Sequence, residues 1–148
     1  KEEQSDLVKA YYKRLTSDDF EIRQSAALAW SKWEASTSYL IPKNKSLHNF
    51  DEIKNADAFA RIECHYFINK GFFKSDGWIL NNIDKIKNIP NVIIQGRYDV
   101  VCPIKSAWDL HKKWKKSNLI IIDAAGHSML EEGIQNKLIE YTDKFVKY

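Results

Sequence analysis

The strongest constraint on this chain is a pair of short apolar runs in its second half. Asn91-Val92-Ile93-Ile94-Gln95-Gly96 is rich in β-branched residues and is bounded by Pro90 and Gly96. Leu119-Ile120-Ile121-Ile122 is the second run. Neither alternates apolar with polar residues, so each reads as a strand buried on both faces. Pro103 opens a helix between them, with Ala107, Leu110 and Trp114 on one face. A last helix carries Ile134, Leu138, Tyr141 and Phe145. Strand, helix, strand, helix is the signature of a parallel α/β sheet with right-handed crossovers. Two strands of this kind cannot make a stable parallel sheet, because each needs cover on both faces and neighbours at its edges. No other convincing strand is present, so the missing strands are expected from a partner, most simply an N-terminal half of the same protein.

The first half reads as helical. Ser17-Asp18-Asp19 stands before an apolar pattern, and Glu21 lies three residues after Asp18, as in a capping box. Ile22, Ala26, Ala29, Trp30 and Trp33 then recur at helical spacing. A second helix runs from about Asp57 through Phe67, with Phe59, Ile62, Tyr66 and Ile68 as its apolar members and Gly71 as its stop.

Bulk properties exclude several partners. The formal charge of +3 is too small and too evenly spread to argue for nucleic acid or an anionic membrane. Lys112, Lys113, Lys115 and Lys116 read as a solvated surface. No apolar run reaches the roughly 18 residues of a membrane span. Cys64 and Cys102 form neither a metal pattern nor a disulfide framework, which fits a reducing, cytoplasmic compartment. The opening Lys1-Glu2-Glu3-Gln4-Ser5-Asp6 is charged, so it is not a signal peptide, and without an initiator Met it reads as a processed or truncated start.

In parallel α/β folds, functional groups gather beyond the carboxyl ends of the strands. Asp99 follows the first strand in Gly96-Arg97-Tyr98-Asp99, and His127 follows the second in Ala125-Gly126-His127-Ser128. Consecutive strands usually neighbour each other, so the two loops are expected to meet. An acid that orients an imidazole, and an imidazole that takes a proton from a nucleophile, need that proximity. Taken alone, Asp99 also fits a cap for the helix after Pro103, and a lone loop His is more often structural. The acid-then-His order matches a hydrolase triad without its first member. The five glycines, at 71, 77, 96, 126 and 133, include no pair four apart, so no Gly-x-Ser-x-Gly elbow exists here. Ser128 adjoins His127 too closely to serve as its nucleophile, and Cys102 lies on no elbow. Glu34 and Glu63 each border an aromatic stripe, by Trp30 and Trp33 and by Phe59 and Phe67. Read blandly they are surface glutamates; read functionally they make an acidic, aromatic-walled recess for a cation such as a free amine. No metal ligand set is assigned, and His65 receives no metal role.

Six blocks in order resemble the prolyl aminopeptidases, also called proline iminopeptidases. They are Arg14-Leu15-Thr16-Ser17-Asp18-Asp19, Ala29-Trp30-Ser31-Lys32-Trp33-Glu34, Ala60-Arg61-Ile62-Glu63-Cys64-His65-Tyr66-Phe67, Gln95-Gly96-Arg97-Tyr98-Asp99-Val100-Val101-Cys102-Pro103, Ser106-Ala107-Trp108-Asp109-Leu110-His111 and Ala125-Gly126-His127-Ser128. The resemblance implies a serine peptidase on the α/β-hydrolase fold that removes N-terminal proline from peptides, with no metal and no organic cofactor. It implies Asp99 as triad acid, His127 as triad base, and Glu34 and Glu63 as the carboxylates that hold the substrate's free amine. It further implies that residues 1–80 are part of a helical cap and 81–148 the C-terminal portion of the catalytic domain, with the serine upstream. Two other readings stay open: a nucleophile-less binding module of the same fold, and another hydrolase such as an esterase or epoxide hydrolase. A Gly-x-Ser-x-Gly elbow upstream separates the peptidase from the binding module, and the paired cap glutamates separate it from the other hydrolases.

Overall fold

The computed structural model describes residues 2–41 and 53–146. The chain divides into two compact units. The first runs from the N-terminus to Ser36 and resumes after the undescribed stretch to end at Lys74; the second comprises Thr37–Ile41 and Ser75–Tyr148.

Among the described residues the first unit holds three α-helices: α1 (Leu7–Leu15), α2 (Phe20–Ser38, through Ser36) and α3 (Ile53–Ile68). Asp6 caps α1, its carboxylate accepting the Lys9 N–H at 3.0 Å. Asp19 rather than Asp18 caps α2: its Oδ1 accepts the N–H groups of Glu21 at 2.9 Å and Ile22 at 3.3 Å. Ser17 Oγ in turn accepts the Asp19 N–H at 3.1 Å, which fixes that carboxylate at the helix start. The core holds Leu15, Ala26, Ala27, Ala56, Ala60 and Cys64. This corrects the expected helix faces. Trp33 is 69% exposed, and Ile22, Ile62 and Tyr66 are exposed as well. Small residues line the seams, so the helices approach closely through Ala and Cys, and the large apolar side chains are left on other faces. Gly71 does not end α3 directly; it sits at φ +62° in the turn after Ile68, a conformation glycine adopts without steric cost.

The second unit contains α4 (Trp78–Asn81), β1 (Asn91–Gly96), α5 (Ile104–Lys113), β2 (Ser117–Ile122) and α6 (Glu132–Phe145). β1 and β2 pair in parallel, from Asn91 opposite Ser117 to Gly96 opposite Ile122. α5 packs on both strands and α6 on β1. Pro103 immediately precedes α5, where its missing N–H costs nothing. Trp114, at the end of α5, donates its indole N–H to the Ile89 carbonyl at 2.8 Å and ties the helix to the entry of β1. The strands were expected to be buried on both faces. In this two-stranded sheet Val92, Ile93 and Ile94 and Leu119 through Ile122 are only half-buried, while Gln95 and Gly96 are buried. Apolar strands without neighbours keep open faces, which is the physical content of the expectation that further strands belong to this sheet. Among the described residues no helix is long and apolar enough to cross a membrane.

Candidate active site

Pairing continues past the formal ends of the strands. The Arg97 N–H donates to the Ile122 carbonyl at 2.9 Å and the Tyr98 N–H to the Ala125 carbonyl at 3.0 Å. Arg97 also reaches Asp123 Oδ1 through Nε at 2.7 Å and Nη2 at 2.5 Å. The two loops are thus stitched together before either reaches its functional residue. Glycine permits the approach: a Cβ on Gly96 would stand 1.9 Å from the Gly126 carbonyl oxygen, far inside contact distance.

Asp99 and His127 meet at this edge, with His127 Nδ1 3.0 Å from Asp99 Oδ2. An ionised carboxylate only accepts, so Nδ1 carries the proton and Nε2 is left as the proton acceptor. The Asp99 side chain is 6% exposed, that of His127 37%. A buried acid behind a more accessible imidazole is the order in which a proton can be taken at the outer nitrogen while the inner one is held. Asp99 does not cap α5, which has no side-chain cap. Its Oδ1 instead accepts the N–H groups of Val101 at 3.0 Å and Cys102 at 2.7 Å, closing a turn ahead of the helix. Ser128 Oγ accepts the Leu130 N–H at 3.2 Å, so its hydroxyl serves the local turn.

Two residues escaped the sequence reading. Gln95 is buried in β1, and its amide nitrogen donates to Asp99 Oδ2 at 3.2 Å and the Cys102 carbonyl at 3.1 Å. The signal was present, since a polar side chain inside an apolar strand needs partners. Glu131 Oε1 accepts the N–H groups of Gly126 at 2.8 Å and Leu40 at 3.0 Å. The Ser38 carbonyl accepts those of His127 at 2.9 Å and Ser128 at 2.8 Å. Together they pin the His127 loop to the Thr37–Ile41 segment. The pairings with Ser38 and Leu40 reach across as many as 91 residues, and nothing local announces them.

In the helical unit Glu34 lines a recess of about 440 Å³ with Tyr11, Trp30, Trp33 and Phe67 among its walls. Tyr11 meets Trp30 edge-on at 5.3 Å between ring centroids, and Phe67 lies against Trp30 at 5.9 Å. Glu63 does not line the recess. Its Oε2 accepts the Trp30 indole N–H at 2.6 Å and so fixes one wall. Cys64, beside it, is buried, and burial followed by the Glu63 charge pushes its thiol pKa up. Among the described residues no three of His, Cys, Asp and Glu cluster as a metal site.

Similarity to known proteins bears on both units. Over 145 residues the chain is 58% identical to the Leptolyngbya boryana protein named "Probable proline iminopeptidase", a match covering 98% of this chain and 45% of that one. It is 54% identical over 140 residues to the proline iminopeptidase of Arabidopsis thaliana, covering 95% and 37% respectively. The chain therefore spans less than half the length of these curated relatives. Among solved structures it is similar in fold to an esterase from Exiguobacterium antarcticum, with a TM-score of 0.63 and 22% identity over 97% of this chain and 48% of that one. No protein-family model matches. The mixed helices and parallel strands are part of an α/β-hydrolase fold.

Proposed function

We propose that this chain, which belongs to the proline iminopeptidase family and corresponds to the C-terminal part of its curated relatives, carries the acid and base of a serine exopeptidase that releases N-terminal proline from peptides. The observation that carries the reading is the Asp99–His127 contact at 3.0 Å beyond the ends of adjacent parallel strands. Asp99 holds the imidazole with its proton on Nδ1. Nε2 takes the proton of a serine hydroxyl and then delivers it to the leaving amine. That serine and its oxyanion-binding groups belong to the N-terminal half of the same protein. The imidazole activates the hydroxyl directly, so the chemistry calls for neither metal nor organic cofactor. The helical unit that ends at Lys74 is part of a cap, and Ser75 onward, with Thr37–Ile41, is the end of the catalytic domain. The protein acts in the cytoplasm, in keeping with Cys64 and Cys102 being free thiols.

Glu34 receives the substrate's amine, and Glu63 supports it by fixing Trp30. A peptide with a free N-terminal proline is cationic at neutral pH, and taking that charge into an aromatic recess without a counter-charge is costly. Glu34 stands in the recess wall, and Glu63 orients Trp30, whose face attracts a cation. An internal or acylated proline brings no cation to the recess and is rejected. The test uses the full-length protein with Pro-β-naphthylamide and its N-acetyl form. Glu34→Gln and Glu63→Gln are each expected to lower kcat/KM for the free amine by about 2 kcal/mol, with a much smaller loss on the acetylated substrate. Equal fractional losses on both substrates would reduce the two glutamates to structural supports.

A further inference from the structure

Gln95 is a buried side chain that hydrogen-bonds Asp99 Oδ2, and the geometry points to a positioning role: Gln95 sets which lone pair of Asp99 Oδ2 faces His127 and how much of its charge the imidazole receives. The inference rests on the acid–base reading above. The amide is unambiguous in orientation. Its nitrogen faces Asp99 Oδ2 at 3.2 Å, the Cys102 carbonyl at 3.1 Å and the Gly96 carbonyl at 3.3 Å, all of them acceptors. Turned the other way, an amide oxygen would face three acceptors and offer a donor to none of them.

Oδ2 thus receives two N–H groups, from Gln95 and from His127, while Oδ1 receives the two backbone N–H groups of Val101 and Cys102. A carboxylate held by four donors cannot rotate about its own bond without breaking several of them. Gln95 also clamps the far end of the same turn through the Cys102 carbonyl, so one side chain on β1 fixes both the acid and the loop that presents it. Because Gln95 shares Oδ2 with the imidazole, it draws off part of the negative charge that would otherwise stabilise the imidazolium. Among the described residues, two carboxylates bond to the imidazole or its loop: Asp99 on the β1–α5 loop, and Glu131 at the start of α6, which reaches the Gly126 N–H. Glu131 holds the loop backbone, so the donor set on Asp99 is the adjustable part.

The experiment uses the full-length protein and Pro-β-naphthylamide across pH. Gln95→Met keeps the length of the side chain and removes its donor. The expected result is a kcat lower by roughly tenfold, KM within about twofold of wild type, and an acid limb of kcat/KM moved to higher pH, because an undivided carboxylate favours the imidazolium. Gln95→Glu restores a donor only while protonated, since its ionised form would face Asp99 and the Cys102 carbonyl as another acceptor. Its rate is expected to approach wild type at low pH and to fall as pH rises. A Gln95→Met profile superimposable on wild type, or a uniform loss with no change in either limb for both variants, overturns the inference and leaves Gln95 as strand packing. Asp99→Asn and His127→Ala in the same assay separate the two claims. If those retain wild-type rates the acid–base reading fails; if they are inactive while the Gln95 profiles are unchanged, only the role of Gln95 fails.

Discussion

At the residue scale, Asp99 and His127 were legible because each follows an apolar strand at the same kind of position, and parallel neighbouring strands bring such positions together. Gln95 and Glu131 were not. A strand pattern says that a buried glutamine needs partners without saying which, and Glu131 joins nearby Gly126 to Leu40, 91 residues away in sequence. The two cysteines illustrate how environment separates identical side chains. Cys64 is buried, with its thiol pKa raised by that burial and then by the Glu63 charge; Cys102 is exposed. A thiolate is the reactive form, so Cys64 is doubly protected below the alkaline range. Iodoacetamide at neutral pH, read by peptide mass spectrometry, is expected to label Cys102 well before Cys64, with Cys64 following as pH rises or the chain unfolds. Equal labelling rates in the folded protein would contradict this.

At the scale of elements, the sequence predicts β1 with the observed bounds, and β2 short by Ser117 and Asn118. The helices α2, α3, α5 and α6 were equally readable, whereas α1 (Leu7–Leu15) and the short α4 were not singled out, and helix faces were read only in part. Hydrophobic spacing selects Ile22, Trp33, Ile62 and Tyr66, which are exposed, together with Ala26 and Trp30, which lie in or against the core, and it passes over Ala27, Ala56, Ala60 and Cys64. Periodicity weights a residue by its apolarity, while close helix contact rewards small size, and here the two criteria agree only in part. The junction of β1 and β2 makes its own prediction. Gly96→Ala sets a Cβ 1.9 Å from the Gly126 carbonyl oxygen, and the backbone there must give way. The expected cost is about 1–3 kcal/mol in denaturant unfolding of the full-length protein, together with a fall in kcat as the His127 loop is pushed from Asp99. Unchanged stability and activity would mean that the loops are not held as closely as the hydrogen bonds from Arg97 and Tyr98 require.

At the scale of the whole molecule, a two-stranded parallel sheet with half-buried apolar strands is an incomplete layer. The exposed apolar residues Trp33, Ile62, Phe72 and Val100 point the same way. Expressed by itself, the chain is expected to self-associate or to be rescued by co-expression with the N-terminal half, as judged by size-exclusion chromatography, because open strand edges and apolar faces seek partners. A monodisperse monomer with a sharp two-state transition would contradict that. The same incompleteness predicts no turnover of Pro-β-naphthylamide by the isolated chain. The most direct test of the central claim is kcat for this substrate in the full-length protein with Asp99→Asn or His127→Ala. The account predicts a loss of about three to four orders of magnitude with a much smaller change in KM, Ser128→Ala remaining mild. Wild-type turnover in either of the first two variants would contradict it.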